Sequence, residues 1–97
     1  MKWIEVIGVR ATTGNRQILE ARLEDLVCTV KKRGSTVSIA VLHRLNVASD
    51  LRVHLQHDSK APDPTGSSLG LRLAAEMEAF GLVHHSIWFE IQEKKTS

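Results

Sequence analysis

The chain has 97 residues, of which 42% are hydrophobic and 25% charged, and its formal net charge is +2. This length and composition fit one ordinary globular domain and exclude two domains, a disordered chain and a collagen-like chain. No stretch reaches the roughly 18 uncharged apolar residues of a membrane span. Glu5 interrupts the first apolar stretch, so we also expect no signal peptide. The single cysteine, Cys28, fits a reducing compartment, and we predict a cytoplasmic protein.

The first predicted elements are a strand and a long helix. Residues 2–10 are rich in β-branched side chains and contain Gly8, which favours a strand over a helix. After Gly14 and Asn15 the apolar residues recur at helical spacing until the chain reaches Gly34. The apolar stripe of this helix consists of Leu19, Leu23, Leu26, Val27 and Val30.

Two strands joined by a short connection are predicted next. Residues 36–44 and residues 51–58 are rich in β-branched and aliphatic side chains that alternate with polar ones. Residues 46–50 between them have the composition of a turn. We therefore expect the two strands to form an antiparallel hairpin.

A second helix and a final strand complete the chain. Both prolines fall in residues 59–66, which read as a loop, and a serine at 67–68 can cap the helix that follows. Gly81 can end this helix in the left-handed conformation. Residues 82–93 read as the last strand, and residues 94–97 as a flexible polar tail.

The order β-α-β-β-α-β is the split βαβ pattern of the ferredoxin-like fold. It predicts a single α+β domain over residues 1–97, in which two helices cover one face of a four-stranded antiparallel sheet. The other face of the sheet then stays open. Because that face carries apolar as well as polar side chains, we expect a partner or a ligand to cover it.

Side chains alternate between the two faces of a strand, and this alternation predicts which of them share the open face. For the first strand either choice of face buries apolar residues, so both choices remain, and here we take the choice that puts Ile4 and Val6 on the helix side. The open-face residues of the first strand are then Trp3, Glu5, Ile7 and Val9. Those of the other strands are Ser38, Ala40, Leu42, Arg44, Arg52, His54, Gln56, His84, Ser86, Trp88 and Glu90.

These open-face side chains have the composition of an amphipathic pocket, in which apolar area is combined with a few orienting polar groups. The ligand-binding candidates are Trp88, Arg44, Arg52, Gln56, Ser86 and Glu5. The catalytic candidates are His54 and His84, because the ordinary pKa of imidazole lies near neutrality and allows it to act as a base. The same composition also fits a subunit interface, since interfaces are rich in Trp and Arg.

We predict neither a metal nor a cofactor. The five histidines are in no known ligand spacing, and the glycines match neither a phosphate-binding loop nor a dinucleotide fingerprint. An RNA-recognition motif stacks bases on aromatic residues of its central strands, but residues 51–58 contain none. We therefore expect no nucleic-acid partner.

One part of the sequence resembles a known superfamily. Leu42-His43-Arg44-Leu45, followed by Ser49-Asp50-Leu51-Arg52-Val53-His54-Leu55, resembles the second and third strands of dimeric α+β barrels of the antibiotic-biosynthesis-monooxygenase type. Gly34-Ser35-Thr36-Val37 differs from the Gly-Cys-x-x-Tyr-like start of the second strand in that superfamily. The resemblance implies a homodimer whose two sheets pack around a pocket. It also implies oxidation of an aromatic or quinol-like substrate, often without a cofactor, while other members of the superfamily bind haem or have no known reaction.

The leading hypothesis is a small cytoplasmic homodimer that binds a partly aromatic or anionic small molecule on the sheet face. A monooxygenase-like activity would use His54 or His84 as the base. One alternative is a regulatory module of the ACT type, which resembles this chain in having a glycine between its first strand and first helix. Such a module would bind an amino acid near Gly14 and Asn15. A dimeric scaffold without a reaction is the other alternative.

Overall fold

The computed structural model describes residues 2–12, 14–32, 37–58 and 64–89. The elements are β1 (Lys2–Ala11), α1 (Arg16–Lys32), β2 (Ser38–Arg44), β3 (Val47–Asp58), α2 (Ser68–Met77) and β4 (Gly81–Phe89). The predicted β-α-β-β-α-β order is confirmed. The end of the first helix predicted at Gly34 lies outside the described residues.

The hairpin between β2 and β3 is tighter than the sequence indicated. Residues 47–50, predicted as part of a turn, instead extend β3, so the turn itself contains Leu45 and Asn46. Asn46 adopts a φ of 63°, in the left-handed region that asparagine tolerates better than most residues. Because the turn uses only these two residues, β3 begins at Val47.

The second helix ends earlier than predicted. α2 stops at Met77, and residues 78–80 form a turn that leads into β4 at Gly81. The predicted end of the last strand at residue 93 and the tail over residues 94–97 lie outside the described residues.

The four strands form one sheet in the order β2-β3-β1-β4, and every neighbouring pair is antiparallel. β1 therefore lies centrally between β3 and β4, as the ferredoxin-like fold requires. Leu19 and Leu23 of α1 and Leu73 and Met77 of α2 join one buried cluster on a single face of the sheet. The other face has no helix of the described residues on it, and this is the face that we call the open face.

The two faces of β1 are the reverse of the prediction. Trp3, Glu5 and the residues that alternate with them up to Ala11 are buried on the helix side. Ile4 and Val6 lie half-buried on the open face. Apolar side chains occupy both faces of this strand, so alternation alone could not choose between them. The predicted placement was wrong because a buried Glu5 is acceptable when donors on other elements satisfy it.

The faces of the remaining strands agree with the prediction. Residues directly opposite each other in an antiparallel pair share a face. The register pairs Gly8 with both Arg52 and His84, and Val6 with both His54 and Ser86. These side chains therefore lie on the open face. Glu90 lies outside the described residues.

No helix within the described ranges is long and apolar enough to cross a membrane.

The buried cluster predicts a steep cost for removing a core side chain. Leu55 is fully buried and faces Glu5 on one side and Ile39 on the other. We expect Leu55→Ala to lower the free energy of unfolding by about 2–5 kcal/mol, because it removes buried apolar area and leaves a cavity. Leu71, about half exposed on α2, is the matched control, and Leu71→Ala should change stability by less than about 0.5 kcal/mol. Urea denaturation measures the free energy of unfolding of both variants. Equal losses of stability would contradict the placement of Leu55 in the core.

Candidate functional site

A cavity of about 460 Å³ opens on the open face of the sheet. Its polar lining consists of Arg10, Arg44, Asp50, Arg52, His54, His84 and Ser86. Val6, Leu82 and Trp88 supply apolar surface, and Gly8 lies among them. The cavity therefore combines apolar area with basic groups.

The strand register arranges the open face into rows that run across β3, β1 and β4. The rows are Asp50, Arg10 and Leu82; Arg52, Gly8 and His84; His54, Val6 and Ser86; and Gln56, Ile4 and Trp88. Neighbours within a row are about 4.8 Å apart, and successive rows about 6.8 Å. Because Gly8 has no side chain, its row has an empty middle position between two basic residues.

The charges at one end of the cavity are paired. Asp50 Oδ1 accepts a hydrogen bond from Arg10 Nε at 3.3 Å, and Asp50 Oδ2 one from Arg44 Nη1 at 3.4 Å. Loss of hydration raises the pKa of Asp50, but the hydrogen bonds from Arg44 and Arg10 outweigh it and hold that pKa below its ordinary value. Arg52, by contrast, forms no ion pair with any residue that the structure describes. Its guanidinium is therefore the basic group left for a ligand.

The two predicted catalytic histidines lie on opposite sides of β1, one row apart. His84 is exposed beside Gly8. His54 is half-buried beside Val6, and its Nε2 is buried without a hydrogen-bond partner among the described residues. The His54 ring therefore lines the cavity, while this nitrogen is shielded from solvent.

Six predicted site residues meet at this cavity: Arg44, Arg52, His54, His84, Ser86 and Trp88. Trp88 is 60% exposed, and its Nε1 donates a hydrogen bond to Ser86 Oγ at 2.8 Å. Gln56 shares the open face but does not line the cavity. Glu5 lies on the opposite face of the sheet, so its predicted place on the open face is wrong.

Glu5 instead forms the centre of a buried polar cluster on the helix side. Its Oε1 accepts hydrogen bonds from His57 Nε2 at 2.6 Å and from Ser67 Oγ, and its Oε2 accepts one from His85 Nε2 at 2.7 Å. Glu5 is fully buried, and the ring of Trp3 stacks on His57 with centroids 4.0 Å apart. One carboxylate thereby joins β1 to β3, β4 and the start of α2.

Hydrogen bonding keeps this carboxylate ionised. Burial alone would raise the pKa of Glu5, but hydrogen bonds from the Ser67 side chain, His85, the Ser67 backbone and His57 more than offset it, so the pKa lies below its ordinary value. Ser67 also caps α2, because its Oγ accepts a hydrogen bond from the backbone N–H of Gly70 at 3.0 Å. The helix N-terminus adds positive potential beside the charge.

Among the described residues, the close packing around Glu5 leaves no space for a ligand beside its carboxylate. A Cβ at Gly70 would overlap the Glu5 carboxylate, and one at Gly66 would overlap the His85 ring. The four hydrogen-bonded residues of the cluster line neither the open-face cavity nor the crevice beneath α1. Within the described parts of the chain no group of three or more His, Cys, Asp or Glu is arranged to hold a metal ion. The cluster is therefore structural.

Sequence reasoning missed this cluster although part of its signal was present. His57 continues the inward alternation of Leu51, Val53 and Leu55, and His85 is an inward position of β4 by the same rule. Histidines on the helix side of both β3 and β4 favour an acid on the helix side of β1, the strand between them. Glu5 takes that position when β1 is assigned the face opposite to the one predicted.

Comparison with known proteins shows a likeness to a solved structure. No family model matches the chain, and no curated protein matches it. The structure of Rv0793 from Mycobacterium tuberculosis superimposes with a TM-score of 0.71 at 13% sequence identity, covering 96% of this chain and 98% of that chain. The likeness shows the fold. This chain is therefore a ferredoxin-like α+β domain whose four-stranded sheet and two helices match a solved structure over nearly their whole length.

The Glu5 cluster predicts acid sensitivity. Because the pKa of Glu5 is lower in the folded than in the unfolded state, its contribution to stability is present above about pH 4.5. That contribution is lost as the pH falls through the folded pKa. Glu5→Gln should destabilise the protein by about 1–3 kcal/mol at pH 7, since the charge is lost and a buried donor then faces the amide NH2 instead of an acceptor. It should also flatten the fall of stability between pH 5 and pH 3. Urea denaturation across this range, with the exposed Glu78→Gln as control, checks both; an unchanged pH slope would contradict the cluster.

Gly70 gives a second, independent test of the same packing. In an ordinary helix a Gly→Ala substitution stabilises by up to about 1 kcal/mol. Gly70→Ala should instead destabilise this protein, because the new methyl overlaps the Glu5 carboxylate. In a Glu5→Ala background the same substitution should become neutral or stabilising. A double-mutant cycle by thermal unfolding measures this coupling, and simple additivity would show that Gly70 and Glu5 do not pack together.

Proposed function

We propose that this protein binds a small, partly aromatic and anionic molecule in the open-face cavity, and that a second copy of the chain covers that face. The observation that carries the proposal is the cavity itself. Its volume of about 460 Å³ falls within the roughly 300–1,000 Å³ of small-molecule sites. Arginines outnumber acids on its wall, while Trp88 and Val6 offer apolar surface.

Exposed apolar side chains support the proposal that a second copy of the chain covers the open face. Leu42 is 43%, Leu82 72% and Trp88 60% exposed, and all three belong to the open face. Several large apolar side chains exposed on one face favour a covered surface over a hydrated one. Two sheets packed face to face would also bring their arginines together, and an anionic ligand between them would reduce the repulsion. Dimer formation and anion binding are therefore expected to strengthen each other.

A cytoplasmic location is part of the proposal. Cys28 is a free, exposed thiol, and free thiols persist in reducing compartments.

A cofactor-independent monooxygenase-like reaction is a second candidate, favoured by the His54 and His84 imidazoles in the cavity lining and by the sequence resemblance of β2 and β3. A CH2 group of a quinol-like ligand would become a carbonyl. One oxygen atom of O2 would enter the ligand, and the other would leave as water with the two hydrogens. His54 or His84 would remove the first proton. If the reaction occurs, His54→Ala should lower turnover by at least about 10²-fold in an oxygen-consumption assay with dithranol.

The ACT-like module and the dimeric scaffold are the outcomes that remain if the cavity binds nothing. The former would bind amino acids near Gly14 and Asn15. Titration calorimetry with a panel of amino acids separates the two.

Gly8 offers a substitution that fills the cavity without harming the fold. A Cβ at Gly8 would lie 3.7 Å from Arg52 Cγ, an ordinary contact, and valine favours strands more than glycine does. Gly8→Val should weaken binding of 2-naphthoate at least tenfold in titration calorimetry, with an unchanged or raised Tm. Ala40→Val, on the same face but outside the cavity wall, is the matched control. Equal binding by the two variants would contradict the cavity as the binding site.

The second copy is tested separately by analytical ultracentrifugation at several salt concentrations. A dimer that persists in high salt, and that Trp88→Glu dissociates, agrees with apolar packing across the open face. A monomer at all concentrations would refute this part of the proposal while leaving ligand binding to stand alone.

A further inference from the structure

The lining of the cavity indicates which class of anion it accepts and how the bound anion is oriented. We infer that the ligand is a planar aromatic monocarboxylate whose carboxylate lies above Gly8, between Arg52 and His84, and whose ring extends over Val6. This inference rests on the proposed function. Asp50 contributes selectivity by offsetting one of the two positive charges of the neighbouring arginines, so that a second anionic group is bound less well.

The row that contains Gly8 has the right shape for a carboxylate. Arg52 and His84 lie on the strands on either side of β1, so their Cα atoms are about 9.6 Å apart across an empty middle position. The Arg52 side chain runs beside that position, with its Nε 4.0 Å from where a Cβ of Gly8 would be. A guanidinium here can bind both oxygens of a carboxylate through its parallel N–H groups. His84 can donate a further hydrogen bond from the other side.

The neighbouring row disfavours a second anion. Asp50 occupies it together with Arg10, and its carboxylate is shared by Arg10 and Arg44. Each of the two arginines therefore directs one N–H group to a protein acid. An additional anionic group on this side would lie close to the Asp50 charge and be repelled by it. The cavity thus has one unpaired arginine rather than three.

The rows on the other side of Gly8 fit the aromatic part. Val6 forms the floor of the next row, with His54 beside it, and Trp88 lies one row further. The row spacing of about 6.8 Å is close to the length of a naphthalene ring system. Aromatic rings pack favourably against the indole and imidazole at these positions. A ligand with its charge above Gly8 therefore has its ring on apolar surface.

Titration calorimetry with three probes tests the inference, in which 2-naphthoate is compared with each of two analogues. 2-Naphthoate and 2-naphthamide have nearly the same shape but differ in charge, and naphthalene-2,3-dicarboxylate carries a second, adjacent carboxylate. Arg52→Gln should weaken 2-naphthoate binding by about 10- to 100-fold, the effect of a lost charged hydrogen-bond pair, and leave 2-naphthamide unchanged. Arg52→Lys should restore only part of the affinity, because it keeps the charge without the planar fork. Arg52 is exposed, so the fold should tolerate both substitutions, and an unchanged Tm is the expected result of the control measurement.

Asp50→Asn tests the selectivity. The wild-type protein should prefer the monocarboxylate, whereas Asp50→Asn should gain at least tenfold in affinity for the dicarboxylate, because Arg10 and Arg44 become available. No gain would refute the role of Asp50. Equal binding of 2-naphthoate and 2-naphthamide, both unaffected by Arg52→Gln yet both weakened by Gly8→Val, would overturn the carboxylate site and leave the proposed function in place. Binding of neither probe to the wild-type protein would overturn both.

Discussion

The arrangement of the whole domain depends on one buried negative charge. The Glu5 carboxylate lies on the central strand, and its partners His57, His85 and Ser67 belong to β3, β4 and the first turn of α2. A buried carboxylate is tolerated only where donors surround it. These donors therefore fix the register of three strands and the position of the helix at the same time. A shift of β1 by one residue would bring Glu5 to the opposite face and leave its donors without their acceptor.

The same strand separates a closed face from an open one. Glu5 fills the helix side with hydrogen bonds, and glycines at positions 66 and 70 allow the chain to approach it closely. Three residues further along β1, on the other face, Gly8 leaves space where a side chain would stand. A tightly packed helix side and an unfilled position on the open face can occur on one strand, because alternate residues of a strand point to opposite faces. The rigid core holds the arginines of the open face at defined positions, which is what a selective site needs.

The periodicity of the apolar residues and the order of the elements predicted most of the fold. The helical stripe of α1 and the alternation in β3 predicted their buried faces, and the register places His54, His84 and Trp88 on one face as predicted. The face of β1 could not be predicted, because valine and isoleucine occur on both of its sides. The hydrogen-bonded cluster was missed because it joins residues that are far apart in sequence. The pairing of Asp50 with two arginines required side-chain geometry that alternation does not supply.

The partners of Glu5 lie 52, 62 and 80 residues away along the chain. Contacts of such long range slow folding, because the ends of a long loop must meet before the contact can form. Of the four strands of this sheet β1 is synthesised before the others, and both of its neighbours, β3 and β4, follow later in the chain. Until then its unpaired edges and apolar residues remain available to other chains. The charge at Glu5 therefore has a second effect during synthesis: on a strand that waits for its partners, it keeps one position hydrated and interrupts a segment that would otherwise be prone to aggregate.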